Sequence, residues 1–152
     1  MRITLLSIIL LLTSVLGVTA QTNKPLYDSL LAKKLGADDY GMKVYVMALL
    51  KRGPNRSHDS TTAATIQAGH MKNIERMAKE GKLVIAGPFE DDWDVRGIYI
   101  FDVATIEEAQ KLTATDPAII AGRLVMELHQ WYGSAALMQV PMVHQTLQKK
   151  AF

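Results

Sequence analysis

The segments of this chain that read as strands are apolar on both faces, and that limits the folds open to it more than any other feature. From Met42 to Lys51, Val44, Val46, Ala48 and Leu50 share one face while Tyr45, Met47 and Leu49 share the other. Within a strand read from Val95 to Val103, Ile98 and Ile100 oppose Tyr99 and Phe101 in the same way. Leu83 to Phe89 is continuously apolar as far as Gly87-Pro88, and Leu124 to Tyr132 reads as a fourth strand. Such strands need cover on two sides.

Helices are available for only one side. Thr61 to Glu80 carries an apolar stripe of Ala63, Ile66, Ile74 and Met77, with His70 in its middle, and Gly81 stands where a helix is commonly closed. Thr105-Ile106-Glu107-Glu108 is a capping box, and Ile106, Ala109 and Leu112 line the helix it opens. Asp116-Pro117 ends that helix, because the residue before a proline is pushed out of the helical region. The resulting order, β-α-β-β-α-β, predicts an α+β, ferredoxin-like domain: a four-stranded antiparallel sheet with both helices on one face. The bare face requires a partner, and the simplest is the same face of a second copy. The expectation is a homodimer, an α/β barrel built from two chains.

At 152 residues the chain suits one domain. Seventeen basic side chains against fifteen acidic ones lack the concentrated positive excess of a nucleic-acid binder. The absence of cysteine excludes disulfide scaffolds, thiolate metal sites and cysteine nucleophiles. Residues 1–20 read as a cleaved signal peptide: a positive start at Arg2, an apolar run from Ile3 to Val18, and small residues before Gln21. An exported, periplasmic or secreted protein with no membrane association after cleavage is therefore expected. Residues 21–41 read as an N-terminal arm with about two helical turns, residues 42–138 as the domain, and residues 139–152 as a C-terminal tail without a strong period.

His58, His70, His129 and His144 show no metal-ligand spacing, and no metal site is expected. The run Glu90, Asp91, Asp92, Asp94 lacks the spacing of a calcium loop and reads as a solvated hairpin tip. His70 has two readings: a core histidine bonded to a backbone carbonyl, or a general base held by a carboxylate. Asp116 reads on its own as an ordinary cap, since aspartate before proline opens a short turn, here over Ala118 to Gly122.

His70, Ile74 and Met77, followed by Lys79-Glu80-Gly81-Lys82-Leu83-Val84-Ile85-Ala86-Gly87-Pro88, resemble the signature of the YCII-related family. Downstream, Thr105 to Ala109 and Thr115-Asp116-Pro117 through Gly122 match the same family's pattern, so that the resemblance covers roughly Lys43 to Met138. Ala118 departs from it, standing where an aromatic residue is common. The resemblance implies a dimeric ferredoxin-like barrel and a histidine–aspartate pair, His70 and Asp116. It also implies kinship with a branch that dehydrochlorinates a chlorinated hydroxyhydroquinone, on a fold shared with muconolactone isomerases and small monooxygenases. On that footing the chain is expected to be a cofactor-independent lyase or isomerase acting on a small cyclic or aromatic molecule. Its pocket would lie between helix and sheet, with Tyr45, Tyr99 and Trp131 as walls and Arg52 holding an anionic group. The alternative is a dimeric small-molecule-binding module without turnover.

Overall fold

A computed structural model describes residues 26–150; the expected signal peptide lies outside the described residues. The elements are α1 (Ser29–Leu35), β1 (Met42–Arg52), α2 (Ser60–Lys79), β2 (Leu83–Pro88), β3 (Val95–Phe101), α3 (Ile106–Thr113), α4 (Pro117–Ile120), β4 (Leu124–Ser134), a 3-10 segment (Ala135–Gln139) and α5 (Val140–Leu147). The sheet runs β2-β3-β1-β4 with every neighbour antiparallel. Within the domain the expected order of elements is present, with α4 added between α3 and β4.

Local chemistry sets the boundaries. Asp59 caps α2 by accepting from the Thr62 N–H, and Gly81 follows the helix in the left-handed conformation that favours glycine. Thr105 caps α3 by accepting from the Glu108 N–H. The Glu108 carboxylate reaches back to the Ala104 N–H, one residue before the cap.

One face of the sheet packs beneath the helices. Val46, Ala48, Leu50, Leu83, Tyr99 and Phe101 close against Met77 of α2 and Ala109 of α3, and Leu124, Met126 and Leu128 extend this core along β4. On the other face Tyr45, Val84 and Ile100 are buried with Met47, Ile85 and Trp131. After β4 the chain is helical: Leu137 and Met138, in the 3-10 segment that ends the domain, pack into this second cluster, and α5 follows in the C-terminal tail. The chain therefore covers part of its own second face, at the end where Ser134 pairs with Met42. The opposite end, near Arg52 and Leu124, carries the exposed Val125 and an ion pair of Lys51 with Glu127, which also holds His129.

Candidate active site

The histidine in the middle of the α2 stripe is buried, and so is Asp116, which has no exposed surface at all. Their side chains meet: His70 Nδ1 lies 2.7 Å from Asp116 Oδ2. The other carboxylate oxygen, Oδ1, accepts from the Ala118 N–H at 2.8 Å. Asp116 therefore makes two contacts at once. One oxygen caps α4 and the other faces the imidazole, so the cap fixes the carboxylate in the orientation that the histidine uses.

Two further contacts tighten this arrangement. Gly69 brings α2 close to α4, because a Cβ at this position would stand 2.7 Å from the Pro117 ring. Asn73, one turn along α2 from His70, donates from Nδ2 to Asp116 Oδ2 at 3.4 Å. Asn73 Oδ1 in turn accepts from Arg76 at 2.9 Å and from the Thr115 hydroxyl at 3.2 Å. Asn73 did not stand out in the sequence; its spacing of three from His70 is the signal that would have found it.

Burial pushes the Asp116 carboxyl up. The His70 hydrogen bond and charge, the Ala118 N–H and Asn73 outweigh this and hold it below the ordinary carboxylate range. An ionised Asp116 accepts, so His70 donates from Nδ1, and in the neutral imidazole the lone pair is then on Nε2. Nε2 faces the Tyr99 hydroxyl at 3.3 Å. Burial, and then the Asp116 charge, push the Tyr99 hydroxyl well above the ordinary tyrosine range, so it stays protonated and serves as a donor.

This row of Asp116, His70 and Tyr99 opens on a cavity of about 490 Å³ between α2 and the sheet, within the range of small-molecule sites. Its wall includes His70, Tyr99, Met71, Ile74 and Ala118. Tyr99 and the His–Asp pair thus come together as expected, and Ala118 leaves the space beside Asp116 open. Tyr45 and Trp131 do not join them. They pack on each other on the opposite face of the sheet, with ring centroids 5.9 Å apart, and the Tyr45 hydroxyl donates to the Ser134 carbonyl. Arg52 is also elsewhere, spent on Asp92 of the acidic hairpin tip. The arginines on the cavity wall are Arg56, Arg96 and Arg123. Among the described residues, no cluster of three or more His, Asp or Glu side chains is placed to hold a metal ion.

Fold and site together define a class: a ferredoxin-like α+β domain with a buried, carboxylate-oriented histidine facing a cavity between its first long helix and the sheet. Residues 44–131 match the model of the YCII-related domain, and the chain belongs to that family. It is 30% identical over 64 residues to the uncharacterized protein YjpA of Bacillus subtilis (strain 168), an overlap spanning 42% of this chain and 73% of that protein. Among solved structures it is similar to 5-chloro-2-hydroxyhydroquinone dehydrochlorinase (TftG) from Burkholderia phenoliruptrix AC1100, solved as a complex with 2,5-dihydroxybenzoquinone. That similarity has 18% identity and a TM-score of 0.42, covering 59% of this chain and 93% of the other.

Proposed function

We propose that this protein is a cofactor-independent lyase or isomerase that uses His70 to move a proton on a small cyclic or aromatic substrate. The observation that carries this reading is the 2.7 Å bond between His70 Nδ1 and a wholly buried Asp116, with Nε2 turned to the Tyr99 side of a ligand-sized cavity. A histidine held only for packing does not need an ionised carboxylate behind it and a cavity in front of it.

The step is general-base catalysis. Nε2 takes a proton from a substrate carbon, and Asp116 balances the imidazolium that forms. In an isomerisation the electron pair of the broken C–H bond shifts through the substrate, and the proton returns from Nε2 to another carbon. In an elimination that pair forms the new double bond, the leaving group departs with its own bonding pair, and the proton passes from Nε2 to solvent. Tyr99, kept protonated, donates a hydrogen bond to the resting imidazole or to a developing substrate oxyanion.

The test is solvent exchange. In deuterated water, a panel of small hydroxylated aromatics and lactones should yield at least one compound that takes up deuterium or is converted by the mature protein. Binding without exchange or conversion across the panel would favour the non-catalytic module.

We infer two accompanying features. The chain is exported, as residues 1–20 suggest, and a second copy covers the end of the sheet that carries Val125 and the Lys51–Glu127 pair. Sedimentation of the mature protein is expected to give twice the chain mass, and Val125→Glu to give the single-chain mass. A wild-type monomer at every concentration removes the dimer.

A further inference from the structure

We propose that Arg123 and Arg56 form an anion subsite of the cavity, so that its ligand is a small cyclic molecule carrying a negatively charged oxygen group. The proposal rests on the cavity being a ligand site, and it adds which chemical class that ligand belongs to.

The first observation is an imbalance of charge on the wall. Arg56, Arg96 and Arg123 line the cavity, and no carboxylate residue does. Arg96 is already committed, to Asp92 and to the carbonyls of Asp91 and Trp93. Arg56 spends one N–H on the Arg123 carbonyl at 3.3 Å and has no ion pair among the described residues. The Arg123 guanidinium has neither an ion pair nor a hydrogen bond among them. Two guanidiniums therefore stand beside one cavity without a counter-charge among the described residues.

The second observation is that their placement is built in. Arg56 and Arg123 come from loops far apart in sequence, laced together by the backbone. The Gly53 N–H donates to the Arg123 carbonyl at 2.8 Å, the Asn55 N–H to the Gly122 carbonyl at 3.0 Å, and Asn55 Nδ2 to the Ala121 carbonyl at 3.1 Å. The contact is so close that a Cβ on Gly53 would stand 2.2 Å from the Gly122 oxygen. Only glycine fits there.

The third observation is where this leaves the two arginines relative to the proton-moving pair. Asp116 caps the start of α4, and the Arg123 N–H closes its end on the Ala118 carbonyl at 2.9 Å. His70, Tyr99 and Arg123 line one and the same cavity, so a ligand anchored by its anionic group at Arg123 has its ring in the space that His70 faces. Guanidinium forks match the paired oxygens of a carboxylate or a phosphate, and charge-assisted bonds of this kind are about twice as strong as neutral ones.

The experiment is a binding titration, so it does not depend on turnover. Benzoate, phenyl phosphate and neutral benzyl alcohol are titrated into the mature protein, with amide chemical shifts as the readout. At least one of the two anions is expected to bind tenfold or more tightly than benzyl alcohol, and the better of the two identifies the group recognised. Arg123→Gln should bring that anion to within about twofold of benzyl alcohol. Arg56→Gln should weaken it severalfold, and Arg96→Gln should leave the preference in place. His70→Asn should also keep the preference, so loss of proton transfer and loss of anion binding read out separately. Equal binding of all three probes, no anion binding at millimolar concentration, or an unchanged preference in a folded Arg123→Gln overturns the proposal.

Discussion

Asp116→Ala is expected to destabilise the domain by about 3–5 kcal/mol, because it leaves several buried polar groups without a partner at about 1–3 kcal/mol each. The reason is what it leaves behind. The Ala118 N–H loses its acceptor at the start of α4, His70 Nδ1 loses its partner, and Asn73 Nδ2 loses its carboxylate acceptor. Each belongs to a buried residue. Urea unfolding of the two proteins checks the figure; a loss under about 1 kcal/mol would mean the site relaxes or hydrates freely.

Asp116→Asn separates the two jobs of the side chain. Its amide oxygen can still accept from the Ala118 N–H, so the cap survives. The NH2 group then faces His70 Nδ1 and Asn73 Nδ2, where a donor meets donors, and the imidazole is driven to the opposite tautomer. A smaller stability loss, about 1–3 kcal/mol, should accompany a changed imidazole ¹⁵N spectrum. The acid limb of stability should change as well. A carboxyl whose folded-state pKa lies below its unfolded value stabilises the fold above the unfolded value, near 4, and that contribution fades as pH falls through the lower folded value. The asparagine variant lacks this proton linkage, so its stability should fall less steeply below about pH 4.

Much of this fold could be read along the chain because each signal is local. Alternation places β1 and β3, the Thr105 box opens α3, and Gly81 and Pro117 mark ends that glycine and proline physically require. His70 and Asp116 were legible as a pair only through resemblance, because nothing in the spacing of residues 70 and 116 says that their helices touch. Alternation already puts Tyr45 on the face opposite Val46 and Ala48, so Tyr45 could not wall a pocket on the helix side. Trp131 pairs with Tyr45 across the ladder and shares its face. Arg56 and Arg123 carried no signal, since hydrogen bonds between two loops bring them together and those bonds leave no mark on the residue types at 56 and 123 themselves. The 3-10 segment after β4 was not legible for a related reason: it packs on Tyr45, Val84 and Ile100 and carries little periodicity of its own.

His70→Asn is the variant that decides between catalysis and recognition. The asparagine amide places an N–H close to where Nδ1–H now sits, so the Asp116 carboxylate keeps a donor and the buried charge keeps its partner. What disappears is Nε2, the atom facing Tyr99 and the cavity. If His70 moves a proton, turnover of any compound found by the deuterium screen should fall by roughly 10²–10⁴-fold, the range that a positioned general base contributes. The melting temperature should stay within a few degrees, and benzoate binding should persist. Tyr99→Phe should cost less, because it removes a hydrogen bond to the base and leaves the base in place. A binding module gives a different set of results: both variants would change affinity in proportion to the contacts they lose, with no step in which one missing lone pair outweighs the rest. The comparison works because Asp116 is anchored independently, by the cap on Ala118, so the carboxylate does not need the imidazole to hold its position.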